Sequence, residues 1–271
     1  MRIVRFVDDC GIIRWGTPTG AGTAAILAGP PGASPPEVTS RIVVVRRVLA
    51  PVNPPNIFGI GKNYAGHVSE TLARLPDAPV VFMKPTTAIA NPHDAIRIPR
   101  VCQRLPEVDF EGELAVVIGR VARDVSESDA LGHVLGYACA NDVTARRWQR
   151  DNGGQWIRGK GFDSFCPVGP CLVTSDEIPN PQLLMIRTHV NGVLMQEAST
   201  GMLFPVARII SFLSQDTTLA PGTLILTGTP AGVGFTRDPP VFLEPGDRVV
   251  VSIEGIGCLE NSVEHAAECA G

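Results

Sequence analysis

The chain has 271 residues, 44% of them hydrophobic and 18% charged, with a formal net charge of -4. That length allows one large domain, or a large one with a small appendage, around a sizeable core. The weakly acidic balance, with no basic cluster, argues against a nucleic-acid surface or an anionic membrane as partner.

No stretch approaches about 18 apolar residues, and the N-terminus lacks the charged-then-apolar layout of a signal peptide, so a cytoplasmic protein is expected. The seven cysteines (Cys10, Cys102, Cys139, Cys166, Cys171, Cys258 and Cys269) are scattered and form no C-x-x-C pair. Reduced thiols filling the core are expected, not a disulfide framework or a zinc knuckle. The 28 glycines and 24 prolines, set between short β-branched runs, describe many strands joined by tight turns.

Residues 2–7, 11–15 and 41–48 read as strands of a small N-terminal domain, residues 1–50. The proline-rich connector at 50–56 is rigid and extended, because each proline forbids helix and biases its predecessor to extended geometry; it marks the boundary with a second domain, residues 51–271. Residues 57–70 predict a strand, a glycine turn and the start of a helix, with glycines that miss the G-x-G-x-x-G spacing of a dinucleotide fold. On that helix His67 and Glu70 lie one turn apart, so the carboxylate can hold one imidazole nitrogen and leave the other to take a proton. An exposed ion pair is the alternative.

A strand over 79–84 ends at Lys84, another spans 95–99, and an acidic strand covers 107–119. In a strand, alternate side chains share a face, which would put Glu107, Asp109, Glu111 and Glu113 together, neighbours being about 6.6 to 6.8 Å apart. Such carboxylates repel in a poorly solvated place unless a cation sits among them, and oxygen ligands suit Mg²⁺, Mn²⁺ or Ca²⁺. The apolar run after Glu113 makes the strand central and points to Glu111 and Glu113 as ligands, with Glu107 and Asp109 at the rim. A solvated acidic edge is the competing reading.

A helix is expected over 126–136, capped by Ser126. After it, Asp142, Arg146 and Gln149 are spaced to share one helical face. They read either as a cap with its i+4 arginine, or as a third metal ligand beside two groups that grip a substrate carboxylate. Lys160, between two glycines, reads as an exposed turn lysine or as a donor to an enolate oxygen, its neutral form favoured beside a dication. Beyond 171 the chain is mainly β, with a hairpin at Asn191-Gly192, a helix over 200–213 burying Leu203, Val206, Ala207, Ile210 and Leu213, and a small-residue loop, 227–234, whose N–H groups suit an anion. Thr229 is the best-placed hydroxyl of that loop.

The order of these motifs resembles the fumarylacetoacetate hydrolase family: G-x-x-x-N-Y-x-x-H-x-x-E (59–70), F-x-K-P (82–85), D-F-E-G-E-L-A-V-V-I-G (109–119), N-D-V-T-A-R-x-x-Q (141–149), G-K-x-x-D-x-F-C-P-x-G-P (159–170), T-G-T-P-x-G-V-G (227–234) and P-G-D (245–247). The resemblance covers 56 to about 264 and is closest to the short bacterial-type branch. It implies a mainly β fold with some α, a mixed β-sandwich or rolled-sheet catalytic domain, usually homodimeric, with one Mg²⁺ or Mn²⁺ per site. It further implies Glu111, Glu113 and Asp142 as metal ligands, Arg146, Gln149, Lys160 and Thr229 on the substrate side, and His67 with Glu70 as a general base on a lid. The expected activity is hydrolysis of a carbon-carbon bond in a small 2-keto or β-diketo acid through an enolate. Oxaloacetate decarboxylation, isomerisation of an unsaturated dicarboxylate, and non-catalytic keto-acid binding are the alternatives.

Overall fold

The computed structural model describes residues 1–32, 36–151 and 153–267; Cys269 lies outside them. Four antiparallel strands come first, β1 (Arg2–Asp8), β2 (Ile13–Gly20), β3 (Thr23–Leu27) and β4 (Val38–Leu49). After the proline-rich connector come β5 (Ile57–Gly61), the short helix α1 (Ala65–Glu70), β6 (Val80–Lys84), β7 (Ile89–Ala90), β8 (Ile96–Ile98), β9 (Val108–Asp109) and β10 (Gly112–Ile118). Helix α2 (Glu127–Ala130), β11 (Val134–Asn141), β12 (Thr144–Ala145), α3 (Arg146–Arg150) and α4 (Ile157–Lys160) follow. The last third holds β13 (Cys166–Thr174), β14 (Met185–Val190), β15 (Val193–Ser199), α5 (Val206–Ser214), β16 (Leu224–Leu226), β17 (Arg248–Ile253) and β18 (Gly257–His265).

One sheet runs β2-β3-β4-β1-β13-β11-β10-β16-β5-β6, and a second runs β15-β14-β17-β18-β8. A short turn after β6, β7 pairs with β13, so the first sheet curls back on itself into the expected rolled, mainly β architecture. β10 sits at its centre. Leu114, Val116 and Ile118 enter one core while Ala115 and Val117 enter another, which is why this stretch is a nearly unbroken apolar run. Because β11 and β16 both run antiparallel to β10, the start of β10 lies beside the end of β11 and the loop after β16. β5 is parallel to β16, so α1, which follows it, reaches the same end.

The acidic stretch is not one strand. It breaks at Phe110-Glu111, where the Phe110 N–H bonds to the Asp109 side chain and the Glu111 N–H to the Asn141 side chain, 3.0 Å away. Side chains replace the ladder there; Asp109, Glu111 and Glu113 still converge on one charge network, while Glu107 pairs with Arg147. The helix expected over 126–136 stops early: α2 ends at Ala130 and Gly136 is already in β11, where a Cβ would lie 2.2 Å from the Val173 carbonyl oxygen. Likewise α5 begins only at Val206, because Asn63 takes the N–H groups of Leu203 and Phe204; Leu203 is exposed and outside the stripe, whereas Val206, Ile210 and Leu213 are buried. Asn191 and Gly192, both at positive φ, form the expected hairpin turn. Among the described cysteines, Cys102, Cys139, Cys166 and Cys171 are buried and none is disulfide-bonded. No helix of the described residues is long and apolar enough to cross a membrane.

Candidate active site

A cavity of about 260 Å³ opens where these strand ends converge. Its wall brings together His67, Glu111, Glu113, Arg146, Gln149, Lys160 and Thr229, with Phe82, Trp156 and Phe235 as its aromatic lining. Two further predicted residues lie one contact behind: Glu70, bonded to His67, and Asp142, bonded to Lys160.

The floor is a closed charge network. Lys160 Nζ donates to Glu111 Oε2 at 2.7 Å and Asp142 Oδ2 at 2.5 Å, while Arg146 Nη1 lies 2.6 Å from Glu111 Oε1 and its Nε donates to Asp109 Oδ2 at 2.8 Å. Asp142 also accepts from Lys84 Nζ at 2.5 Å. Four buried carboxylates (Asp109, Glu111, Glu113, Asp142) therefore face three buried cations (Lys84, Arg146, Lys160). Glu113 is the one left over: its bonded partner among the described residues is the Gly228 N–H, at 2.6 Å. Burial, together with Asp142 and Glu111, pushes its carboxyl well above the usual carboxylate range. For Glu111, Lys160 and Arg146 outweigh burial and hold the carboxyl below that range. Burial alone would lower Lys160, but Asp142 and Glu111 outweigh it and keep the ammonium favoured. The neutral form expected of Lys160 beside a dication would have to overcome these two carboxylates.

Glu111, Glu113 and Asp142 offer oxygens that all lie within 4.8 Å of one another. Three hard oxygen donors this close together suit a small dication, which would relieve the repulsion that raises the Glu113 carboxyl.

Three other expectations change. Asp109 is fully buried and Glu107 nearly so, not at the rim; Asp109 braces Arg146, and Glu107 accepts from the Arg147 backbone and side chain at the start of α3. Asp142 lies between β11 and β12 and not on α3, whose N-cap is Ala145, so only Arg146 and Gln149 share a helical face, joined by a 3.2 Å hydrogen bond. The loop 227–234 does cradle anions, but they are the protein's own: Gly228 N–H binds Glu113, Gly232 N–H binds Glu70 and Gly234 N–H binds Asp109. Positive φ at Gly228 and Gly232 turns those donors inward.

Helix α1 carries the dyad. His67 Nδ1 lies 2.7 Å from Glu70 Oε1, and Glu70 Oε2 accepts from Gly232 N–H and the Thr236 hydroxyl. Burial works against the Glu70 carboxylate, yet these bonds, led by His67, lower its pKa, so it is ionised at neutral pH. An ionised carboxylate only accepts, so in the neutral imidazole Nδ1 carries the proton and Nε2 the lone pair.

Sequence reasoning passed over two buried partners. From the sequence Lys84 reads only as a strand exit, although a lysine ending an apolar strand before proline is a signal of burial. Gln196 donates to Thr229 Oγ1 at 2.7 Å and accepts from Gly112 N–H at 3.0 Å. It carried no signal, because a register shift in the β14–β15 hairpin spoils the alternation that would mark an inward position.

Residues 56–264 match the family model described as fumarylacetoacetate (FAA) hydrolase C-terminal. Over 219 residues the chain is 48% identical to a mitochondrial oxaloacetate tautomerase of Xenopus laevis, spanning 80% of this chain and 68% of that one. A Homo sapiens protein of the same description is 45% identical over 218 residues, 79% of this chain and 68% of its own. Among solved structures, a 2-hydroxyhepta-2,4-diene-1,7-dioate isomerase from Mycobacterium marinum is 42% identical with a TM-score of 0.85, covering 99% of this chain and all 100% of its own. A 5-carboxymethyl-2-hydroxymuconate delta-isomerase from Mycobacterium smegmatis is 39% identical with a TM-score of 0.85, over 98% and 100% respectively.

Proposed function

Because the chain belongs to the fumarylacetoacetate hydrolase family, we propose that it is an enzyme moving a proton between the keto and enol forms of a small 2-oxo acid, with Mg²⁺ or Mn²⁺ held by Glu111, Glu113 and Asp142. The observation that carries this reading is a buried carboxylate triad, two of whose members line the same cavity as a histidine with Nδ1 tied to a carboxylate. Relatives named as a tautomerase and as isomerases support the same class, since such enzymes rearrange a substrate without cleaving it.

A dication bound there supplies Lewis-acid polarisation of the 2-oxo carbonyl, which acidifies the neighbouring C–H. The chain's own residues do the rest. Glu70 fixes the imidazole tautomer, and His67 Nε2 takes the proton from the carbon beside the carbonyl and returns it. Lys160, kept charged by Glu111 and Asp142, favours negative charge developing on the carbonyl oxygen. Arg146 is committed to Asp109 and Glu111 and acts as a positioning residue. It occupies the Gln149 carbonyl and so turns the Gln149 amide N–H groups towards a substrate carboxylate. Thr229 gives its hydroxyl hydrogen to the Gly112 carbonyl and accepts from Gln196, so it shapes the wall instead of gripping the acid.

Hydrolysis of a β-diketo acid, the reaction expected from the sequence, is the second reading: the His67 side chain is 12% exposed, and water at that opening can give its proton to His67 as its oxygen attacks the distal carbonyl and the carbon-carbon bond breaks to leave an enolate. The two separate in one assay. With Mn²⁺ present, the protein is expected to accelerate decay of the ultraviolet absorbance of oxaloacetate enol, and a chelator to abolish the effect. Cleavage of acetylpyruvate without any effect on the enol would make the hydrolytic reading the correct one; no effect on any 2-oxo acid would remove both. A homodimer is part of this proposal, and light scattering reads it directly.

A further inference from the structure

The cavity has one wall that cannot yield. Phe82 and Trp156, both half-buried, line it beside Lys160. Behind them runs β5, which carries glycine at 59 and 61, two positions on one face of the strand. Neither glycine has a positive φ, so the backbone would accept another residue at both. The rings are what forbid one: a Cβ on Gly59 would lie 2.2 Å from Phe82 Cζ, and a Cβ on Gly61 would lie 2.3 Å from Trp156 Cζ3. Both rings therefore rest on bare backbone and have no room to move away from the cavity.

Sideways motion is blocked as well. The two rings pack with centroids 5.5 Å apart, tilted by 53°. Lys160 Nζ lies 5.0 Å from the centroid of Phe82, held there by Glu111 and Asp142. The Trp156 carbonyl accepts from the N–H groups of Gly159 and Lys160, so the turn that presents the ring also presents the ammonium. β5 itself is paired on both sides, with β16 and β6. A wall made this way sets a width, because a wider occupant gains space only by shifting strand backbone or breaking the Lys160 contacts. We propose that Trp156, backed by Gly61 and braced by Phe82, is a specificity-determining residue that limits the width of the substrate tail, so that slim, unbranched 2-oxo acids enter and those with a ring do not. This rests on the 2-oxo acid reading given above and narrows it.

The test compares 2-oxopentanoate with phenylpyruvate, which have the same charge and the same methylene beside the carbonyl and differ in the width of the tail. Calorimetric titration of the Mn²⁺-loaded protein is expected to give about 10- to 100-fold weaker binding of phenylpyruvate. In Trp156→Ala that gap should close by about tenfold, through a gain for phenylpyruvate and not a loss for 2-oxopentanoate. Trp156→Phe, a smaller change that keeps a ring against Phe82, should close it in part, and it carries the test if the alanine variant does not fold. Fluorescence supplies a readout that a purely structural role would not move: 2-oxopentanoate should alter the tryptophan emission of the parent, and the change should vanish in Trp156→Phe while binding remains. Equal binding of the two acids, a gap or an emission change that survives substitution, or an equal loss for both acids overturns the inference and leaves the 2-oxo acid reading standing. Binding of neither acid to the parent overturns that reading, and the width limit with it.

Discussion

The floor of the cavity and the helix above it are built in opposite ways. Glu111, Glu113 and Asp142 sit at the junction of central strands, nearly or completely buried, with both neighbouring cores behind them. His67 and Glu70 belong to a helix of six residues that has no side-chain N-cap and contributes one fully buried side chain, Val68. Its outer end carries Leu72, 94% exposed at φ 52°. A helix so short has little stability of its own; here Glu70, anchored to Gly232 and Thr236, does much of the holding. The proposed ligands thus rest on the part of the fold hardest to deform, and the proposed base on a part that can be reseated around a substrate.

The largest effect should come from breaking the floor. Lys84 is wholly buried and neutralises Asp142, so Lys84→Ala leaves a carboxylate short of a partner, at a cost of about 3–5 kcal/mol in unfolding free energy. Denaturant titration measures it, and a loss below about 1 kcal/mol would mean that the floor is not the rigid region claimed. On the helix the effect should be chemical. His67→Ala is expected to slow turnover by about 10² to 10⁴ while leaving stability and Mn²⁺ affinity near the parent values. A loss of metal affinity in that variant would show the two regions to be one unit.

Acidity sharpens the contrast. Glu113 has a folded pKa above its unfolded one, so its contribution to stability is complete below the unfolded value and lost as pH rises through the folded value. Glu70 is lowered, so its contribution is present above the unfolded value and lost as pH falls through the folded one. A dication must displace the Glu113 proton, so Mn²⁺ affinity should rise with pH and binding should release protons. Titrations in buffers of different ionisation enthalpy count them. An affinity flat with pH would mean that Glu113 is not a ligand. At the acid end, exchange protection of the α1 amides should fall first.

How legible each region was follows from the kind of signal it leaves. Glu111, Glu113, Asp142, His67 and Glu70 lie in local motifs, and the structure gathers them at one cavity. The sheet core was equally open to reading, because buried apolar runs are local. What escaped depends on contacts distant in the chain. Asp109 has the parity of a ligand but is claimed by Gly234 and Phe235, more than a hundred residues away. Gln196 reaches Gly112 across 84 positions, and no periodicity announces such a bond. Helix ends failed for the same reason, since Asn63 decides where α5 can begin.

The smallest effect concerns the outer end of α1. Ala73 N–H bonds to the Val68 carbonyl and Leu72 N–H to that of Ser69, which is a Schellman closure with Leu72 at its left-handed position. Glycine is the usual occupant, because an L side chain there costs about 1–2 kcal/mol, offset by the roughly 0.5–1 kcal/mol that glycine's unfolded-chain freedom costs. Leu72→Gly should therefore stabilise by up to about 1 kcal/mol, seen as a small rise in Tm, with Mn²⁺ affinity unmoved because the floor is not involved. If stability falls instead, Leu72 is making contacts in solution that its 94% exposure denies it here, and α1 is seated more deeply, and more like the floor, than its short length implies.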